Sequence, residues 1–312
     1  MMTKPLLVLL GALSGYLLFS AAGSLGMGAV LVYLFIPLPA AVLGMRLGPS
    51  WGVAVVGLTM LAVLTTSGVS PTLLYLLQFG LPAALLPWLL SRGIHWDRAL
   101  VVTLAVVLAF GVVILLGAAF GTGQSPGAFI GAHIDSEIDQ AVTLMQEFAG
   151  AEQSPEAAEA LREVTASMGT LMRRAYPAML VVVCAALQLF TIGVLALMAR
   201  PAALPGAAFA RWRAPELLIW VLIAAGFAVV FSAGMTQSIA INVLIILLPI
   251  YFLQGLAVFE HYLAPKVSSP VLRGVGCVFL LVINPLPMIV TGVGVFDLWV
   301  DFRKPRLRNN DE

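Results

Sequence analysis

ALVVTLAVVLAFGVVILLGAAF, residues 99–120, holds twenty-two residues with no charge and with Thr103 as its one hydroxyl. At 1.5 Å per residue a helix of this length covers about 33 Å, the hydrocarbon thickness of a bilayer. The same length and composition test marks eight more apolar segments: 5–22, 25–45, 51–67, 71–91, 176–199, 215–234, 238–262 and 271–302. Pro71 and Pro215 sit where a first helical turn has no partner for an N–H, and Gly23, Gly48, Gly93 and Gly121 fall near segment ends. Composition agrees: 61% of the 312 residues are hydrophobic and 10% charged, too few charges to coat a water-soluble globule. Lys4, the apolar run Leu6 to Leu18 and Ser20-Ala21-Ala22 imitate a secretory signal, but further spans follow directly, so an uncleaved first helix is expected.

Basic residues then orient the chain, because short cytoplasmic loops hold an excess of Lys and Arg. Lys4, Arg46, Arg92 with Arg98, Arg200 with Arg211 and Arg213, and Lys266 with Arg273 fall in alternate connections, while the short connections between them, around Gly23, Ser67 to Ser70 and Gly234 to Gln237, are uncharged. This predicts a cytoplasmic N-terminus. After eight crossings the chain is inside at Lys266, and the basic tail Arg303, Lys304, Arg306 and Arg308 should also be inside. Asn284-Pro285-Leu286-Pro287 interrupts the last apolar stretch, since each proline removes an N–H and disfavours a helical residue before it. The expected architecture is therefore an all-α polytopic helix bundle with eight full spans plus a C-terminal helical hairpin, or nine to ten spans, in a bacterial inner membrane with both termini cytoplasmic.

Residues 121–175 form the one large extramembrane segment and fall outside by alternation. Ile134, Ile138, Ala141, Met145 and Phe148 recur at 4-3-4-3 spacing, and Leu161, Val164, Met168 and Leu171 at 3-4-3, which predicts two amphipathic helices. Ser154-Pro155 marks the second start, with Gly150 to Gln153 as the turn. The segment carries eight acids against three arginines, a net −5, so the +1 of the whole chain leaves +6 for the remainder. The chain thus divides into an N-terminal membrane bundle (1–120), an acidic extracytoplasmic helical hairpin (121–175), a C-terminal membrane bundle (176–302) and a basic cytoplasmic tail (303–312).

Catalytic and metal-binding motifs are missing. There is no HExxH, GxSxG or CxxC, and His95, His133 and His261 lie in three different segments. Gly121 to Gly127 is glycine-rich without the lysine of a nucleotide-binding loop. Cys184 and Cys277 lie in apolar runs and read as buried free thiols. No metal, cofactor or nucleic acid is expected, and the chain does not read as an enzyme.

Deep ionisable groups are usually functional because they are costly to place there, and this chain has almost none. Its deep polar groups are neutral. Tyr75, Gln78, Gln188, Asn242, Tyr251 and Gln254 are the candidate ligand-binding side chains, although amides and hydroxyls also join neighbouring helices. Along 238–262, Tyr251, Gln254, Val258 and His261 fall on one stripe beside Pro249, which could line a cavity. Gly11 and Gly15 offer a flat helix surface for a contact, internal or to another membrane protein. At the C-terminus Trp299, Arg303 and Lys304 read as an interfacial anchor to lipid, with Asp297 and Asp301 free to pair with arginines of cytoplasmic loops or of a partner.

Three strings, Gly294-Val295-Phe296-Asp297-Leu298-Trp299 through Lys304, Tyr251-Phe252-Leu253-Gln254-Gly255-Leu256-Ala257, and Trp212-Arg213-Ala214-Pro215-Glu216, together resemble the YybS-like family of bacterial polytopic membrane proteins (DUF2232), a family without an established activity. Pro39 to Gly52 is more distantly similar to substrate-binding S subunits of energy-coupling-factor vitamin transporters. That resemblance implies a first-helix face, here Gly11, Gly15 and Ala22, that docks onto a coupling subunit. Two functions are carried forward: binding or facilitated passage of a small neutral or weakly polar solute, and a non-transporting scaffold that recruits cell-envelope or division proteins.

Overall fold

In hydrocarbon no water is at hand for backbone N–H and C=O groups, so the apolar segments satisfy them internally as α-helices. The computed structural model describes residues 3–25, 29–149, 155–198 and 208–304, with side chains described over these ranges except at 30, 137–139, 141–168 and 170–171. In chain order the helices are α1 Lys4–Ser24, α2 Ala29–Phe35, α3 Leu38–Leu47, α4 Pro49–Ser67, α5 Val69–Tyr75, α6 Leu81–Ser91, α7 Trp96–Thr122, α8 Pro126–Ala149, α9 Pro155–Met198, α10 Leu217–Phe231, α11 Gly234–Leu263, α12 Pro270–Val282 and α13 Leu286–Val300. No strand occurs among the described residues.

Among the described residues six helical stretches are long and apolar enough to cross a membrane, seven if the bent pair α12–α13 counts as one span. The other two of the eight expected full spans fall on shorter apolar helices, at 31–47 and 217–231, and the bent pair lies where a C-terminal helical hairpin was expected. The nine apolar segments are where the sequence puts them, but three are not long straight helices. Segment 25–45 is split by a turn at Ile36-Pro37 into α2 and α3, segment 215–234 forms only the 15-residue α10, and α12 and α13 meet at 105°. The last bend follows Asn284-Pro285, where the helical ladder loses a donor. Lipid is the natural solvent of these helices. Only 17% of the most apolar window of α7 is buried, and Val101, Phe110, Val112, Val113 and Phe120 face outward.

Two compact units emerge from the contacts. The first comprises Met1–Leu108, Val182–Val221 and Leu247–Glu312, the second Ala109–Val181 and Leu222–Ile246. In the first, α1 packs on α4, α3 on α4 and α6, around a core that includes Ile36, Tyr75, Phe79 and Leu86. Small residues set these approaches. A Cβ on Gly11 would overlap the Leu43 side chain, and one on Gly15 would stand 3.2 Å from Thr59 Oγ1. The Thr59 hydroxyl donates to Val55 O (2.9 Å) and, across the helix pair, to Ala12 O (3.2 Å). Gly44 and Gly52 let α3 and α4 fold back on each other: a Cβ on Gly52 would be 2.8 Å from Gly44 Cα. Gly48 between them takes φ 115°, a conformation closed to most side chains.

Between α5 and α6 the residues Leu76–Gly80 form one π-helical turn, in which the Leu81 N–H reaches back five residues to Leu76 O. Pro82 follows at once, and its ring would crowd the carbonyl of Gln78 in a regular α-helix, so the wider turn relieves that clash. The whole of Val69–Ser91 remains one apolar span.

One helix joins two segments that the sequence reading kept apart. Residues 155–175 and segment 176–199 are a single helix, α9, 44 residues or about 66 Å long. The second hairpin helix and the following apolar segment are therefore continuous, and the apolar stretch begins at Met172. Ile134 is buried and Asp135 pairs with Arg173 at 2.6 Å, which ties α8 to α9. The remaining expected apolar positions of the hairpin, from Ile138 to Phe148 and from Leu161 to Leu171, have side chains outside those described. The expected turn at Gly150 to Gln153, Ser154, Arg200, Arg306 and Arg308 lie outside the described residues altogether.

Candidate functional site

Gln188 lies on the part of α9 that enters the core of the first unit, where Leu187, Ile192 and Leu195 are buried. Its side chain is 1% exposed, and neither Oε1 nor Nε2 has a hydrogen-bond partner. A carboxamide offers two donors and an acceptor with two lone pairs, and each buried group left unmet costs about 1–3 kcal/mol. The Tyr251 hydroxyl on α11 and the Thr103 hydroxyl on α7 are also fully buried and unpartnered. All three groups are neutral and belong to the first unit. By contrast Thr191, one turn along α9, donates to Leu187 O at 2.9 Å.

The other expected ligand-binding residues are placed differently. Tyr75 is buried in an aromatic cluster, edge-on to Phe19 with centroids 5.5 Å apart and beside Phe79. Gln78 is half-buried and without a hydrogen-bond partner among the described residues. Asn242 belongs to the second unit, where it bridges α11 to α9. Its Oδ1 accepts from Ala178 N (3.0 Å), and its Nδ2 donates to Arg174 O (2.6 Å) and Ser238 O (2.8 Å). The stripe Tyr251, Gln254 and Val258 is buried, and its helix meets α13 there through Gly255 and Gly294. A Cβ on Gly255 would overlap the Val290 carbonyl, and one on Gly294 the Tyr251 carbonyl. The stripe expected to line a cavity is thus largely a helix-packing face.

Gln254 closes a second polar cluster at the end of that contact. Its Oε1 accepts from Ala214 N (3.1 Å) and its Nε2 donates to Asp297 Oδ2 (3.2 Å). Asp297, 0% exposed, also accepts from Phe302 N (3.2 Å) and from Arg303 Nη2 (2.5 Å). Arg303 Nη1 reaches the carbonyls of Ala210 (3.1 Å) and Trp212 (2.8 Å). Outside this core Asp301 pairs with Arg213, and Lys304 stands 3.5 Å from the same carboxylate. Partial desolvation raises the Asp301 pKa, but the charges and hydrogen bonds of Arg213 and Lys304 outweigh it and hold the carboxyl below its usual range. The Tyr262 hydroxyl donates to Phe302 O, Trp96 packs on Trp212 (5.7 Å) and Phe209 (6.1 Å), and Trp299 stays exposed beside Phe296.

Sequence reasoning singled out Asp297, Asp301 and Arg303 separately. It missed that Gln254, the Ala214 N–H and the carbonyls of Ala210 and Trp212 complete one network. The glycines at 255 and 294, beside Tyr251 and Asp297, were the available signal for a close helix contact. Among the described residues no group of three His, Cys, Asp or Glu side chains converges.

The profile of the family described as "Predicted membrane protein (DUF2232)" matches residues 15–298. The chain belongs to that family. No curated protein and no solved structure matches the chain. For the DUF2232 fold seen here, the docking face implied by the S-subunit resemblance is not free: Gly11, Gly15 and Ala22 are all buried, with Leu43, Val55 and Thr59 opposite the two glycines.

Proposed function

We propose that this multi-pass membrane protein binds a small neutral molecule with hydrogen-bonding groups inside its first unit, as a non-catalytic step in the handling or passage of that solute. The observation that carries this reading is Gln188, a primary amide at 1% exposure with both ends unmet. Within an apolar bundle such a group needs a partner, and a donor set beside an acceptor suits a molecule that itself presents both, such as an amide, a urea-like group or a carboxylic acid in neutral form. The lack of unpaired deep charge among the described residues fits a neutral solute rather than an ion. The scaffold reading has less support, because the small-residue face of α1 is engaged within the chain.

The orientation follows from charge. In the first unit, Trp96 at the start of α7 packs on the 209–212 loop, and Arg303 binds the same loop, so Arg92, Arg98, Arg211, Arg213, Arg303 and Lys304 collect at one end. That end is assigned to the cytoplasmic side of an inner membrane by the excess of basic residues there.

The test is mass spectrometry of small molecules retained by the protein purified in mild detergent, for the wild type and for Gln188→Leu. A neutral polar compound retained by the wild type, lost from the variant and stabilising only the wild type against heat is the expected result. A variant that is equally or more heat-stable with an unchanged bound complement would sink the reading, because the amide would then have no ligand to lose.

A further inference from the structure

Gln78 sits two residues, about 3 Å, from Gly80 at the midpoint of the 23-residue span Val69–Ser91. Hydroxyls elsewhere on outward helix faces are satisfied by their own helix: Ser14 donates to Leu10 O (2.7 Å), Thr65 to Leu61 O (3.1 Å) and Thr66 to Ala62 O (2.9 Å). Gln78 is not; its carboxamide has no partner among the described residues, and the side chain is only half-buried. Leu74, Leu81 and Leu85, at helical spacing around it, are also not buried. A primary amide at the centre of the hydrocarbon, turned to a surface with no water, is left without hydrogen bonds in the monomer.

We infer that this face is the interface with a second copy of the same chain. The amide decides the occupant, because it carries a donor and an acceptor on one group. Two copies related by a two-fold axis satisfy each other through a reciprocal pair of Gln78–Gln78 hydrogen bonds, with leucine packing on either side. Interhelical hydrogen bonds of this kind between uncharged side chains associate transmembrane helices. A lipid tail has no polar group to offer at that depth.

The experiment uses the full chain in native membranes with Cys184 and Cys277 replaced by alanine. Oxidation of Gln78→Cys is expected to give a disulfide-linked species of twice the chain mass, whereas cysteine at Leu61, on an exposed face of α4, gives none. Separately, Gln78→Leu should lower the dimer association constant in detergent about tenfold, and Gln78→Asn should retain most of it. A chain that stays monomeric and uncrosslinked at position 78 overturns the inference, and so does a crosslink to a protein of another mass. If Gln78→Leu fails to fold, the crosslink at position 78 still decides, since it needs no loss of function to be read.

Discussion

Asp297 keeps a carboxylate at 0% exposure inside an apolar helix because the Phe302 N–H, the Gln254 amide and the Arg303 guanidinium together occupy its lone pairs. Removing one member of a buried ion pair leaves the other desolvated and unpaired, at a cost of about 3–5 kcal/mol, whereas replacing both with apolar groups is often neutral. Asp297→Ala should therefore lower thermal stability sharply, and the double variant Asp297→Ala/Arg303→Met should recover much of the loss. Unfolding curves in detergent check this; a double variant no more stable than the single one would show that the pair is not coupled. Asp297 and Arg303 were visible in the sequence as charges at the end of an apolar run. Their mutual burial was not, because it depends on Gln254, forty-three residues upstream of Asp297, facing the same gap. Gln188 shows the converse: its depth was legible, but whether its amide found a partner required the packing around it.

At the scale of an element, α9 runs through Pro177 without ending, against the expectation of a break near residue 175. Proline removes its own N–H and pushes the preceding turn open, so the rung from Ala178 N to Arg174 O is the one at risk. The Asn242 amide is inserted into that rung, accepting from Ala178 N and donating to Arg174 O. The sequence offered Asn242 as a deep polar group and a segment boundary at residue 175, and nothing local to Asn242 or Pro177 tells that one repairs the other. Asn242→Leu leaves the part-buried Ala178 N–H and the more exposed Arg174 carbonyl without this partner and should cost about 1–3 kcal/mol in all. Pro177→Ala restores the regular rung and should make position 242 tolerant of leucine. A double-mutant cycle on thermal stability checks the coupling; additive effects would mean that Asn242 acts independently of the proline.

For the whole molecule, the apolar segments were legible because periodicity and length suffice to find them, and the break in 271–302 was legible from its prolines, while the split of 25–45 at Ile36-Pro37 was not. Charge placement carries over more directly. The basic residues of three connections converge on one end of the first unit through the contacts of Trp96, Trp212 and Arg303. The α8 segment instead holds Asp135, Glu137, Asp139 and Glu147. Short basic loops stay on the cytoplasmic side whereas acidic segments cross readily, so α8 and Lys304 should lie on opposite faces of the membrane. Single cysteines at Ser136 and at Lys304, both exposed positions, in a background without Cys184 and Cys277 provide the measurement. A membrane-impermeant maleimide on cells with a permeable outer layer should label Ser136→Cys at once and Lys304→Cys only after the inner membrane is opened. Equal labelling of both sites before opening would mean an even number of crossings between them, whereas the reverse order, Lys304→Cys at once and Ser136→Cys only after opening, would mean that segment 25–45, split at Pro37, does not cross. One fewer crossing before α7 reverses the face to which α8 and everything after it, Lys304 included, is delivered, so the order of labelling also decides whether α2 and α3 together act as a span.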